Sequence, residues 1–159
     1  LASGNRDIIK DFETGDYTVG SGVDRLEVQD GDVEKAFGAN AVIQEVSEAP
    51  TSSVTFDALN KNVLELAFDL GSEDTSDLNT STDGTELLAA LGQTLSSSNA
   101  SNDGYIVAYQ GGDAFLFHAV PDGGAGSDAG IENDDLALVG IFEDIAVGSF
   151  TATNFEDIA

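Results

Sequence analysis

The sequence predicts a mainly β domain: an antiparallel β-sandwich or β-roll-cap-like module with one short α-helix. Three observations carry that expectation. Short runs of alternating apolar and polar residues recur along the chain, the period of a strand with one face buried. Two of these runs, GYIVAYQ and DAFLFHAV, flank Gly111-Gly112. Such a pair suits a two-residue turn, which needs positive φ at both positions and joins antiparallel strands. Only the stretch from Asp83 to Leu95 carries the apolar spacing of a helix.

Residues 7–12 (DIIKDF) and 24–28 (DRLEV) read as short strands around a Gly-containing turn, residues 14–22. In the second, Leu26 and Val28 alternate with Arg25 and Glu27. Residues 41–46 and 53–59 are two further strands, kept apart by Pro50. In residues 63–70, Leu64, Leu66, Phe68 and Leu70 take one face, and Glu65, Ala67 and Asp69 the other. A polar loop, residues 71–83, leads to the helix. Asp83 is its expected N-cap and Glu86 the capping-box partner three residues on. Leu87, Leu88, Leu91 and Leu95 form its apolar stripe, and Gly92 and the serines at 96–98 limit its length.

A turn at Gly111-Gly112 sets the register of residues 104–120: Gln110 opposite Asp113, Tyr109 opposite Ala114, Val107 opposite Leu116, Tyr105 opposite His118. Ile106, Ala108, Phe115 and Phe117 then share the core face. After a loop at 121–135, the strand LALVGI (136–141) completes an antiparallel meander. The word FEDIA closes the chain twice, at 142–146 and 155–159. The first copy continues the strand before it. The second follows Thr153, and Thr153 with Glu156 reads as a capping box opening a final helical turn. Phe150, Phe155 and Ile158 would then plug the open end of the sheet. No long linker and no 20–50-residue repeat divides the chain, so residues 1–159 are expected to form a single β-rich domain.

Composition narrows the function. Thirty acids face five bases, a formal net charge of −25, and no Lys or Arg follows Lys61. Nucleic acid binding needs a cationic surface, so that class is excluded. Anionic membranes are disfavoured on the same ground, and no apolar run approaches the ~18 residues of a membrane span. With no cysteine, disulfides and thiolate chemistry play no part. Self-repulsion of this size destabilises a compact state unless salt or divalent cations screen it. Asp outnumbers Glu by 19 to 11, often beside Gly, Ser, Thr or Asn, a supply of hard oxygen ligands on bendable backbone that suits Ca²⁺. A solvated acidic surface is the plainer alternative.

The loop PDGGAGSDAGIENDD holds the best metal candidates: Asp122, Asp128, Asn133, Asp134 and Asp135. Its GGAGSD matches the first six positions of the Gly-Gly-x-Gly-x-Asp nonapeptide that binds Ca²⁺ in parallel β-rolls. The apolar residue due two places after the Asp is replaced by Gly130, and a lone copy cannot build a roll. An acidic hairpin loop is the equal alternative. His118, the only histidine, sits opposite Tyr105 and reads as structural, since no nucleophile and acid are spaced to complete a triad. Glycoside hydrolysis needs two carboxylates, but Asp134-Asp135, Glu143-Asp144 and Glu156-Asp157 are unavoidable pairings among thirty acids. Neither a phosphate-binding loop nor a zinc-protease helix is present, so no enzymatic activity is expected.

The stretch NRDIIKDFETGDYTVGSGVDRLEV resembles the phrase Asp-x-Ile-x-Asp-Phe … Gly-x-Asp-x-Ile-x-Leu that follows the β-roll in RTX proteins. Asp7, Ile9, Asp11 and Phe12 match its first half; Val23, Asp24, Leu26 and Val28 match its second. The aromatic hairpin, DDLALVGI and the Phe-containing tail resemble the end of the same region in serralysin-like exoproteins. Together these parts cover roughly half the chain. The resemblance implies the C-terminal part of a longer, secreted or cell-surface chain. It implies export by type I secretion machinery with an uncleaved C-terminal signal, here around Phe150, Phe155 and Ile158, and Ca²⁺-dependent folding outside the cell. Asp7, Asp11 and Asp24 occupy the matching acidic positions. Tandem nonapeptides and any protease motif are missing, and residues 38–102 have no counterpart. The expectation is a non-enzymatic, calcium-responsive structural module of an extracellular layer, filament or adhesin, with self-association or a cell-surface glycan as possible partnerships. A carbohydrate-binding domain using Tyr105, Tyr109 and loop acids is the alternative, and an acidic hydrolase a third.

Overall fold

The structure, a computed structural model, describes residues 7–29, 42–58, 60–71, 76–99, 102–121 and 129–158. Its strands are β1 (Asp7–Ile9), β2 (Leu26–Gln29), β3 (Ile43–Val46), β4 (Val54–Phe56), β5 (Val63–Asp69), β6 (Leu95–Ser97), β7 (Gly104–Gln110), β8 (Asp113–Ala119), β9 (Ala129–Ile131), β10 (Leu136–Phe142) and β11 (Phe155–Ile158). One helix, α1 (Thr85–Leu91), lies between β5 and β6, and a 3₁₀ turn (Ala152–Asn154) precedes β11. The fold is mainly β and sandwich-like with one helix, as the residue pattern predicts.

The strands form a six-stranded sheet in the order β1-β10-β8-β7-β5-β3, a three-stranded sheet β4-β6-β9 and a two-stranded sheet β11-β2. The β7–β8 hairpin has the expected register, from Gln110 opposite Asp113 to Tyr105 opposite His118. With β10 antiparallel to β8, the expected meander is present. On both sides of it the pairing turns parallel. β3, β5 and β7 run parallel in the large sheet, while β4 and β6 run parallel in the three-stranded one. The chain therefore coils between two sheets. The first turn carries Ile43 to its neighbour Val63; the next, enlarged by α1, carries Val63 to Tyr105. Gln44 ties the first turn together: its amide donates to the Thr55 carbonyl (2.8 Å) and accepts from the Asp57 N–H (2.7 Å). The Thr55 carbonyl belongs to β4 and Asp57 directly follows it, so a side chain closes an edge that another strand would otherwise pair with.

Apolar residues collect on both faces of the large sheet. Phe56, Leu64, Leu66, Leu87, Leu95, Ile106, Phe115, Phe117 and Leu138 fill the space toward the three-stranded sheet and α1. Val63, Tyr105, Val107, Tyr109, Leu116, Phe142, Phe150 and Phe155 form a second core on the other face. Ile106, Ala108, Phe115 and Phe117 are thus core residues as expected, but so are their alternating neighbours. A strand covered on both faces reads as a continuous apolar run, which YIVAY and AFLF are.

Four local expectations change. The helix N-cap is Gly84, one residue after Asp83, and no side-chain cap bond forms, so Glu86 closes no capping box. Asp83 instead accepts the Thr85 N–H (2.8 Å) while its backbone bridges to Ala137. Gly84 sits where a Cβ would stand 2.5 Å from Leu136 Cδ1 and 2.9 Å from its Cβ. Leu95 is not on the helix. Gly92 takes the left-handed conformation (φ 63°), its N–H bonds the Leu88 carbonyl, and the chain leaves for β6. The third change is in the tail. Its capping box joins Thr151 to Asn154, not Thr153 to Glu156, and the residues after it are extended. Pairing with β2 wins over a helical turn, and the second FEDI becomes β11. Within the expected loop 121–135 lies β9, antiparallel to β6. Its Ala-Gly-Ile has little intrinsic strand signal.

Both FEDIA copies now have a role. Phe142 lies opposite Ile9 at the parallel end of β10, and Phe155 lies opposite Leu26 at the start of β11. Each copy joins a C-terminal segment to one of the two N-terminal strands.

Candidate functional site

The contact between the chain's two ends is built mainly from side-chain-to-backbone hydrogen bonds. Residues 13–24 form a turn closed on itself by Asp24, whose N–H donates to the Glu13 carbonyl (2.8 Å) and whose carboxylate accepts the Glu13 N–H (2.9 Å). The 3₁₀ turn clasps this loop. Asn154, with no exposed surface, accepts from the N–H groups of Gly15 (3.2 Å) and Thr151 (2.8 Å) and donates to the Asp24 carbonyl (2.9 Å). Thr153 Oγ1 accepts the Tyr17 N–H (2.8 Å), and Thr151 Oγ1 donates to the Gly15 carbonyl (2.8 Å). The Arg25 guanidinium lies 4.7 Å from the centre of the Tyr17 ring, a cation–π distance. Beneath the clasp the rings of Phe12, Phe142, Phe150 and Phe155 touch in sequence, with centroids 4.9 to 5.5 Å apart.

Beside this clasp lies a polar groove of about 310 Å³ between residues 11–14 and 143–146. It gathers four carboxyl residues, Asp11, Glu13, Glu143 and Asp144, from the two ends of the sequence. Asp11 and Asp144 both hold positive φ, 61° and 58°. These are left-handed conformations that Asp tolerates better than most residues. The N–H of Glu143 donates to the Ile9 carbonyl (3.0 Å) and that of Asp144 to the Asp113 carboxylate (3.0 Å). Lys10 pairs with Glu143 at 2.8 Å, and that contact raises the lysine pKa above its ordinary value.

The calcium candidates fall in two places. Asp7 is exposed on β1, Asp11 lines the groove, and Asp24 holds the 13–24 turn. Asn133 and Asp135 serve the fold elsewhere. The Asn133 carbonyl accepts the Gly84 N–H (2.9 Å), and the buried Asp135 carboxylate accepts the Glu132 N–H (2.8 Å). Asp134 is exposed, and Asp122 and Asp128 lie outside the described residues. Among the described residues no three carboxylate or imidazole groups are arranged to hold a metal ion. Phe150 and Phe155 are buried in the core on the second face of the large sheet, and Ile158 is the last residue of β11.

Tyr105 and Tyr109 are 5 % and 1 % exposed, so neither ring offers a face for a sugar to stack on. The His118 ring lies 5.2 Å from that of Tyr105, as expected of a structural histidine opposite it. One polar pair was not legible at all. Glu65, assigned to a face opposite the leucines, is 2 % exposed in the second core and accepts a hydrogen bond from the Tyr109 hydroxyl. Burial raises its pKa, opposed by that hydrogen bond and by one from the Phe150 backbone, while the neighbouring charge of Glu45 adds to the rise. Burial likewise pushes the Tyr109 hydroxyl far up, and the hydrogen bond to Glu65 and its charge push it further. The only signal in the sequence is that residue 65 alternates out of a strand whose two faces both prove to be covered.

No helix among the described residues is long and apolar enough to cross a membrane. Compared with known proteins, the chain matches no protein-family model, no curated protein and no solved structure.

Proposed function

We propose that this chain is a non-enzymatic, secreted, calcium-responsive structural module, the closing C-terminal region of an RTX-like protein exported by type I machinery. The observation that carries the reading is the clasp between the ends. Its hydrogen bonds link residues 130 to 139 apart in sequence, and β1 and β2 find their partners in β10 and β11. A fold closed by segments this far apart stays open until both are available, because long-range pairing costs loop-closure entropy before any contact offsets it. That suits a chain that travels unfolded.

Charge supplies the calcium response. Closing the ends packs Asp11, Glu13, Glu143 and Asp144 around one groove in a chain of net charge −25. Repulsion opposes closure, and divalent cations relieve it. The described carboxylates form no cage, so what they contribute to the response is a collective relief of repulsion.

The export half of the proposal has a direct test. Expressed with a type I exporter, the chain should be found outside the cell. Removal of residues 150–159 should abolish this. Asn154→Ala, which breaks the clasp but keeps the apolar tail residues, should still be exported. Secretion that survives the deletion would show that the tail is only a structural plug.

A further inference from the structure

Residues 145–150 cross the second face of the large sheet as a strap. It is pinned at its ends by buried Ile145 and Phe150, while Ala146, Val147 and Gly148 between them are exposed. The strap turns on itself through the Ser149 N–H to the Ala146 carbonyl (3.2 Å), with Gly148 at φ 68°. Beneath it lies the Glu65–Tyr109 pair. Ile145 and Phe150 pack in one buried cluster with Tyr109, and Gly148 lies against β5, where a Cβ on it would stand 3.4 Å from Ala67 Cβ. The strap therefore covers a buried acid and the phenol that donates to it. The other ionisable group facing Glu65 among the described residues is Glu45, its direct neighbour across the parallel β3–β5 pairing.

We propose that Glu65 is a proton-controlled latch for this strap: neutral Glu65 keeps residues 145–150 seated on β5 and β7, and its ionisation releases them. With the strap down, an ionised carboxylate would be held out of water beside a second glutamate. With the strap lifted, water solvates it. Burial leads the upward shift of Glu65 in the closed form, and lifting the strap returns the group toward an ordinary glutamate. The closed form thus binds the proton more tightly. Its extra stability is complete below the ordinary glutamate pKa and is lost as pH rises through the raised value of the closed form. Within that window the ratio of lifted to seated strap should grow with pH, by at most about tenfold per pH unit, the limiting slope of one linked proton.

The test combines a carboxyl-carbon NMR titration of Glu65 with hydrogen-exchange protection factors for the Gly148 and Phe150 amides, corrected for intrinsic base catalysis. In the unmodified protein Glu65 should titrate above an ordinary glutamate. Protection of the two strap amides should fall as pH rises toward that titration, by at most about tenfold per pH unit, and then level off, while amides of the β7–β8 hairpin stay constant. Glu65→Gln should keep the strap protected and flatten its pH profile. Glu45→Gln, an exposed change, should move both the titration and the loss of protection to lower pH, and it serves if the first variant fails to fold. The latch is overturned if Glu65 titrates at its ordinary value, if Glu65→Gln leaves the strap's pH profile unchanged, or if hairpin amides lose protection in parallel.

Discussion

Asn154→Ala should destabilise the protein by about 3–5 kcal/mol, seen as a lower midpoint in urea or thermal unfolding. The side chain has no exposed surface and serves Gly15, Thr151 and Asp24 at once. Removing it strands two donors and one acceptor in the part-buried clasp, and a buried unsatisfied group costs about 1–3 kcal/mol. The total stays below the simple sum because the clasp loosens and admits water. Asn154→Asp should be nearly as damaging: it keeps the acceptor, loses the donor to the Asp24 carbonyl and adds a buried charge. A shift under about 1 kcal/mol for Asn154→Ala, the scale of an ordinary surface change, would mean that the clasp does not hold the fold.

Phe155→Ala should cost about 3–5 kcal/mol, the usual range for truncating a buried phenylalanine. Its ring has no exposed surface and packs 5.4 Å from Phe150, which in turn packs 5.5 Å from Phe142. Phe142→Ala should cost a similar amount, because its ring is also buried and packs against both Phe12 and Phe150. Phe142 and Phe155 meet through Phe150, so their double variant should lose less than the sum of the singles. Loss of Phe155 should also expose the β2 and β11 amides to exchange before those of β7 and β8. Exact additivity and uniform exchange would place the two FEDIA copies in separate, uncoupled settings.

The parts legible in the sequence share one physical basis. The hairpin at Gly111-Gly112 is specified locally: the turn demands positive φ, and one turn fixes every pair along both strands. Alternation placed β5 for the same reason, since strand period is a property of neighbouring residues. The parallel pairings were not legible. Ile43 and Val63, or Leu26 and Phe155, become neighbours only through the coil and the clasp, and no turn residue announces them. Leu95 shows the same limit from the other side. Its spacing from Leu91 fits a helix, yet the left-handed Gly92 ends the helix first, and a tertiary partner, Ile131, takes Leu95 into a strand.

The candidate site divides in the same way. Asp7, Asp11 and Asp24 were singled out by a phrase in the sequence, and two of them do lie where the chain's ends meet. Glu143 and Asp144 join Asp11 and Glu13 only because β1 pairs with β10, more than a hundred residues on. Asn154 looked like tail, and Glu65 like a strand's outer face. What sets their roles is burial on the second face of the large sheet, and sequence alternation says nothing about whether that face is covered.

The central claim is that divalent cations close an acidic fold whose ends must meet. It is most directly tested by thermal unfolding, followed by circular dichroism, in EGTA, in millimolar Ca²⁺, and in NaCl at the ionic strength of the Ca²⁺ sample. The chain should be unfolded or marginally stable in EGTA, and should unfold at a higher temperature in Ca²⁺ than in NaCl of equal ionic strength. A fully folded spectrum with the same unfolding temperature in all three solutions would contradict it.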